Sequence, residues 1–311
     1  MTMTSRRGFT LVELIITLVL MLMVAGVTYG LLVNNQRVSR AQTSQVSLQD
    51  NVRSGALILG NELRELGYDE VTVASAASVA QVPGLIPGNN SDLIAIGPDS
   101  IRYRAMRALG FTCSLDPANG DIVVRNASLQ QQRAPTVTDR LMLYVENDPK
   151  TSNDDVWLHA NITQPPVAQN CPDGTAGTRF RVAFDAALAG IVLGPTHTLV
   201  GGPVRIYEVM LLRSYALSGQ TWLGMRSISA NSAIQPVLGP LSGTAAADSG
   251  LALVYRDVNN NQTAVANNVR TIDVTLKGIT DAPVRTRNAH YATVDSLSLS
   301  TRVALRNALR P

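Results

Sequence analysis

The sequence predicts an α+β chain, with one long N-terminal helix packed on a domain rich in antiparallel β-strands. Three observations carry this. Residues 14–33 hold no formal charge. Val52, Ala56, Leu59, Leu63 and Leu66 then recur at helical spacing. From about Val71 the pattern changes to short period-two or β-branched runs broken by Gly, Pro and Asn. With 311 residues, 45% hydrophobic and 16% charged, there is chain enough for one or two domains with a real core.

The charge-free run is the first element. At about 1.5 Å per residue it spans roughly 30 Å, the thickness of a bilayer's hydrocarbon core. Arg6 and Arg7 precede it and the next positive residue is Arg37, so the short leader stays cytoplasmic and the bulk is exported. The run ends in "LLVNNQRVSR", which lacks an A-x-A-like cleavage site, so the helix is expected to stay with the mature protein. Glu13 stands just before the run, where a carboxylate costs about 3 kcal/mol or more.

The second half of the helix is amphipathic. The stripe from Val52 to Leu66 is its apolar face, while Gln42, Gln45 and Gln49 occupy the corresponding positions upstream. That face is therefore expected to be dry only toward its C-terminal end. Gly67 is a good C-cap, after which Asp69 and Glu70 leave the helix.

Candidate strands follow: "DLIAIG", "SIRYRAM", "RLMLYVEN", "DVWLHANI", "TRFRVAF", "VRIYEVMLLRSYAL", "TWLGMRSIS", "LALVYRD" and "VRTIDVTLKG". "VNNNQTAVANN" reads as a turn or short helix, and "PGLIPGNN" and "QPPVAQNCPDGTAG" as surface loops. No internal repeat or low-complexity tract is visible.

"RRGFTLVELIITLVL" resembles the cleavage and methylation signature of type IV prepilins and type II secretion pseudopilins. The resemblance implies a pilin-like fold and a cut by prepilin peptidase between Gly8 and Phe9. Phe9 would then be the N-methylated first residue and Glu13 the residue that sets register during assembly. It divides the chain into a leader at 1–8, a transmembrane half-helix at 9–33, an amphipathic half-helix at 34–67 and an exported β-rich domain at 68–311. In the family, Glu13 meets the N-terminus of a neighbouring subunit. An intramolecular pair with the new Phe9 ammonium, one helical turn away, is the alternative, and a buried carboxylate and ammonium offset one another in either case. Gly26 and Gly30 form a GxxxG pair suited to close helix packing in lipid. In many major pilins a proline falls at the place of Gly30, so local unwinding is a second reading and plain tolerance of glycine a third.

"LQDNVRSGALILGNELRELGYD", with Arg64, Gly67 and Tyr68, resembles a segment of PilW-type minor pilins. "VRIYEVMLLRSYAL", "LALVYRDVNNN", "VRTIDVTLKG" and the terminal "LSLSTRVALRN" resemble the PilW and GspJ families. The likeness is strong over about 6–68, moderate over 203–311 and weak between. It implies a PilW-like minor pilin, a non-enzymatic priming subunit of a pilus tip complex, or alternatively a GspJ-like minor pseudopilin of a type II secretion system. The implied partners are prepilin peptidase, the inner-membrane assembly platform, other minor pilins and the major pilin. The implied location is the bacterial inner membrane, single-pass, and then an extracellular or periplasmic filament tip.

Other chemistry is poorly represented. His159, His197 and His290 lack metal-ligand spacing, and no nucleophile elbow, Walker loop or dinucleotide fingerprint occurs, so no catalytic residue, metal or cofactor is expected. Asp257, Asn259 and Asn261 alternate like the start of a calcium loop but lack its glycine and distal Glu, so a hairpin tip is the better reading. Cys113 and Cys171 are expected to form a disulfide if the domain is exported, two buried thiols being the alternative. The formal charge is +3, but without residues 1–8 there are 24 basic against 23 acidic side chains, so nucleic acid binding is not indicated. Arg102, Arg104 and Arg107 form the one local basic cluster. The alternate spacing of Arg102 and Arg104 reads as a solvated strand face, with a DNA uptake receptor or another membrane-anchored binding module as the rival from another class.

Overall fold

The computed structural model describes residues 10–66, 92–116, 118–145, 156–184, 200–243, 249–281, 283 and 293–305. The sequence reading of Gly67, Tyr68, Asp69, Glu70 and the "PGLIPGNN" loop lies outside them, as do Gly8, Phe9, His197 and His290. Helix α1 runs unbroken over Leu11–Glu65. Fourteen strands follow among the described residues: β1 Leu93–Ile96, β2 Ser100–Asp116, β3 Asp121–Arg125, β4 Gln130–Gln131, β5 Arg140–Val145, β6 Val156–Ile162, β7 Val167–Ala168, β8 Gly177–Phe184, β9 Pro203–Leu217, β10 Gln220–Ser227, β11 Gln235–Leu241, β12 Leu251–Arg256, β13 Thr271–Ile279 and β14 Ser296–Ala304. Among the described residues these strands pair antiparallel. The architecture is therefore α+β and pilin-like, a long apolar N-terminal helix with a large antiparallel β domain.

The chain divides into two compact units, residues 1–50 with 279–296, and residues 51–278 with 297–311. In the first, Gln45 Nε2 donates to Asp295 Oδ2 at 3.0 Å. Leu48 is buried, while Gln42 and Gln49 are exposed. The dry stripe thus begins one turn earlier than the spacing predicts.

In the second unit the last turns of α1 pack on the sheet. Val52, Leu59, Leu63 and Leu66 are buried. Gly55, rather than the half-buried Ala56, lies at the contact, where a Cβ would come 2.2 Å from Leu238 Cδ2 and 3.1 Å from Leu276 Cδ1. Only glycine permits that approach without repacking both leucines. The Tyr103 hydroxyl on β2 donates to Glu62 Oε1 at 2.9 Å, and Gln132 Nε2 reaches Glu65 Oε2 at 3.3 Å. Burial first, and then the Glu62 charge, push the Tyr103 phenol well above its ordinary range, so it stays a hydrogen-bond donor.

The sheet closes on itself. β2 pairs β3, β3 pairs β8, β8 pairs β6, β6 pairs β5, β5 pairs β9, and β9 returns to β2. These six strands form a barrel whose interior is filled by Ala108, Ile122, Val124, Leu141, Leu143, Leu158, Ala160, Ile162, Phe180, Val182, Val204 and Ile206. Every strand of the ring contributes, and a small barrel so filled has no lumen. Two devices bend β2: its register shifts between Met106 and Ala108 against β9 and between Thr112 and Ser114 against β3. Gly110 lies between them, where a Cβ would stand 2.5 Å from Val124 Cγ1. β2 and β9 continue past the barrel, and β10, β11, β13 and β12 extend the sheet beyond β9. The segment least like any family therefore folds as a barrel sharing its two long strands with the helix-bearing sheet.

Ion pairs pin the margins. Arg133 grips Asp139 and Glu208, and Arg107 Nε meets Glu208 Oε2 at 2.9 Å, beside the barrel seam. The Asp139 side chain is fully buried and also accepts from the Thr136 amide. At the far end Asp273 on β13 accepts from Arg256 of β12 and Arg302 of β14, tying three strands together.

Candidate functional site

The sequence places the candidate site at the start of α1, and there the structure adds a feature the sequence analysis missed. The Thr10 amide donates to Glu13 Oε2 at 3.5 Å, and the Glu13 amide donates to Thr10 Oγ1 at 3.3 Å. Both distances are long, but the exchange is reciprocal. This is a capping box: two of the amides that a helix start leaves unpaired are satisfied by side chains three residues apart. The signal was legible as T-x-x-E directly before an apolar run. Glu13 also lies at the positive end of the helix dipole, which favours a carboxylate.

Beyond the cap the helix surface is apolar and open. No residue in the most apolar 18-residue window of α1 is buried within the chain. Leu11 and Met21 are each about three-quarters exposed, at 76% and 75%. In water such a surface would be a severe liability, while in lipid it is the ordinary state. Thr17 and Thr28 turn their hydroxyls back onto the Leu14 and Val24 carbonyls, so neither threonine presents an unpaired donor to lipid. Apart from adjacent residues and the helix's own backbone, no atom lies within 4 Å of a Cβ built on Gly26 or Gly30. Nothing described in this chain uses the close approach that GxxxG spacing allows.

The other predicted residues are scattered over the β domain. Cys113, on β2, and Cys171 form a disulfide with Cα atoms 5.6 Å apart, closing 58 residues. It packs with Val123 on the outer side of β3 and holds the Asp173–Thr175 turn. Hydrogen bonds from Thr175, reinforced by Arg125, lower the Asp173 carboxyl to about 2. Replacing both cysteines by serine is expected to cost about 2–4 kcal/mol, lowering Tm by roughly 5–15 °C in a domain of this size. Calorimetry of the variant against the parent checks it.

The basic cluster is not one surface. Arg102 is exposed, but Arg104 is only 9% exposed and lies 5.7 Å over the Tyr207 ring, and Arg107 is paired with Glu208. The expectation of a solvated face for Arg102 and Arg104 is therefore wrong for Arg104. Both faces of β2 are covered there, so alternation no longer separates wet from dry. The Asp257 loop is a hairpin tip: Oδ1 accepts the amides of Asn259 and Asn261, and Asn260 takes a positive φ of 64°. Among the described residues no three His, Cys, Asp or Glu side chains gather as a metal site.

His159 is largely buried, with Nδ1 2.9 Å from the Tyr207 hydroxyl. Burial, then the charges of Arg104 and Arg140, lower it to about 3. It is neutral in the folded chain, whereas the unfolded chain binds its proton near pH 6.5. Its stability contribution is thus complete above about pH 6.5 and is lost as pH falls toward 3, by up to about 1.4 kcal/mol per pH unit. The acid-induced fall in Tm between pH 6 and pH 4 is expected to be shallower in His159→Gln.

The N-terminus matches the family described as the prokaryotic N-terminal methylation motif over residues 3–29. The match takes in Gly8, Phe9, Thr10, Glu13 and most of the apolar run. No curated protein and no solved structure matches the chain significantly. The motif supports a type IV pilin-like protein, a pilin or pseudopilin in general, processed by prepilin peptidase and assembled with other pilins. The exposed apolar helix and the motif together support a membrane-anchored, exported chain.

Proposed function

We propose that the chain is a PilW-like minor type IV pilin, a structural subunit that primes filament assembly at a pilus tip. It is made as an inner-membrane prepilin with residues 1–8 in the cytoplasm. Prepilin peptidase cuts between Gly8 and Phe9, and Phe9 is N-methylated. The assembly platform then lifts the subunit out of the bilayer. Glu13 meets the α-ammonium of a neighbouring subunit and sets register, α1 fills the filament core, with Gly26 and Gly30 packing closely on neighbours, and the β domain contacts other minor pilins and the major pilin. No catalysis is involved.

One observation carries this reading: a motif-bearing helix whose apolar N-terminal stretch has no buried residue, with a capped acid in its first turn. Such a surface needs lipid or neighbouring helices, and such an acid needs a cation. The filled barrel adds bulk that suits a single tip position better than a closely repeating one. A GspJ-like pseudopilin uses the same helix chemistry, and the neighbouring genes separate the two. The test is the intact mass of the protein purified from its own cells. Loss of residues 1–8 together with gain of one methyl group is expected. Retention of residues 1–8 would instead favour a tethered binding module.

A further inference from the structure

The turn after β3, the loops before β5 and after β6, and the start of β8 meet at one end of the barrel and enclose a hollow of about 350 Å³. That volume falls within the range of small-molecule sites, and a barrel mouth is a place where such sites recur. Its floor is the fully buried Phe180, and Leu129, Pro135 and Pro166 form apolar walls. Asn126, Gln131 and Thr178 supply the polar side chains. Among the described residues no ionisable group lines the hollow. A charged ligand would lose its water there without gaining a countercharge.

The walls are held before any ligand arrives. The Asn126 amide donates to the Ala176 carbonyl at 3.0 Å, and Asn126 Oδ1 accepts from the Thr178 hydroxyl at 2.7 Å. The carboxamide is thereby fixed, and among the described residues its Nδ2 hydrogens have no acceptor. Arg133 donates to the Ala134 carbonyl and grips Asp139, which holds the loop bearing Pro135. Gln131 is carried by β4, where it pairs with Ala108, and its exposed side chain has no partner among the described residues. A primary carboxamide both donates and accepts, which complements a secondary amide on a ligand. The hollow thus offers amide partners on its rim and an apolar wall behind them, already in place.

We propose that this barrel-mouth hollow binds an uncharged sugar bearing an acetamido group. The acetyl carbonyl accepts from Asn126 Nδ2, the amide N–H donates to Gln131 Oε1, and the acetyl methyl lies against the Leu129 and Pro135 wall. The volume suits one sugar ring, whereas an extended peptide needs a longer groove. This goes beyond the filament reading and does not depend on it.

The test is saturation-transfer NMR on the full chain in phosphocholine bilayer discs, which bring no sugar headgroup of their own. The probe is N-acetylglucosamine, with glucose as the ring lacking the amide. N-acetylglucosamine is expected to bind with a Kd of about 1 mM, ordinary for so small a ligand, and its acetyl methyl to be the most strongly saturated group. Glucose is expected to bind about tenfold more weakly. Asn126→Asp keeps the acceptor for Thr178, loses both free donors and sets a carboxylate beside the acetyl carbonyl. It is expected to raise Kd about tenfold or more. Gln131→Ala is expected to raise it about fivefold. Both positions are exposed, so Tm is expected to stay within about 2 °C of the parent. A β-linked N-acetylglucosamine trimer, representing chitin, and the disaccharide of N-acetylglucosamine with N-acetylmuramic acid, representing bacterial cell wall, then compete with the probe. Displacement by either supports the site, and the stronger competitor identifies the source. Absent saturation of N-acetylglucosamine, equal binding of glucose, parental affinity in Asn126→Asp, or displacement by neither fragment overturns the proposal. So does saturation of N-acetylalanine methylamide in place of the sugar, which would make the hollow a peptide site.

Discussion

Replacing Glu13 by alanine is expected to remove the protein from fibres while leaving it processed and folded. In the proposed filament the Phe9 ammonium and the Glu13 carboxylate are buried together, and each is tolerable only because of the other. Deleting one partner of a buried pair costs about 3–5 kcal/mol, because the remaining charge stays desolvated. At about 1.4 kcal/mol per tenfold, incorporation falls by two orders of magnitude or more. The β domain contributes nothing to that pair, so its Tm is expected to stay put. Quantitative immunoblots of sheared fibres against membranes read the loss. The intact mass of the membrane fraction reads whether the leader is still removed. An alanine variant that enters fibres normally would leave an anchored β domain of another purpose.

Cutting Phe180 back to alanine is the second large effect, and it lies at the opposite end of the problem. Phe180, on β8, is fully buried inside the barrel, in the core cluster to which every strand of the ring contributes. A closed barrel cannot easily collapse around a lost ring, because its diameter is set by hydrogen-bonded register. The cost is therefore expected in the upper range for aromatic truncation, about 3–5 kcal/mol. In a domain of this size that is roughly a 6–20 °C fall in Tm. Phe180→Leu, which keeps most of the volume, is expected to cost under half as much. Thermal melts of the three proteins decide it. Equal stability of alanine and parent would mean that the barrel interior is not the core of the domain.

The helix was legible from residues alone because its signals are local. A charge-free run needs no partner to be recognised, and a stripe at spacings of three and four declares which face is covered. The stripe was misjudged at two points, Leu48 and Gly55. There burial is decided by what lies opposite, and Gly55 is at the contact because Leu238 and Leu276 leave room for no Cβ. Thr10 was readable and was passed over, since T-x-x-E is a local pattern like the others. Most strands were found where apolar residues cluster. β3 "DIVVR", β11 "QPVLGPL" and β14 "SLSLSTRVA" were missed, as were the two-residue β4 and β7; β3 is short, β11 carries prolines and a glycine, and β14 alternates serine with few large apolar residues.

By itself the sequence determined the membrane-competent helix, the acid in its first turn, the processing signature and an antiparallel β domain behind them. Each is a property of neighbours along the chain, set by periodicity, charge and capping chemistry. Only the tertiary structure decided that six of the strands close into a filled barrel, that Arg104 is covered and Arg107 paired, and that His159 is held neutral. Those facts depend on which distant strands pair and on how β2 bends at two register shifts. A period-two pattern looks the same on an open sheet and on the wall of a barrel, because alternation records that a strand has an inside without recording what encloses it.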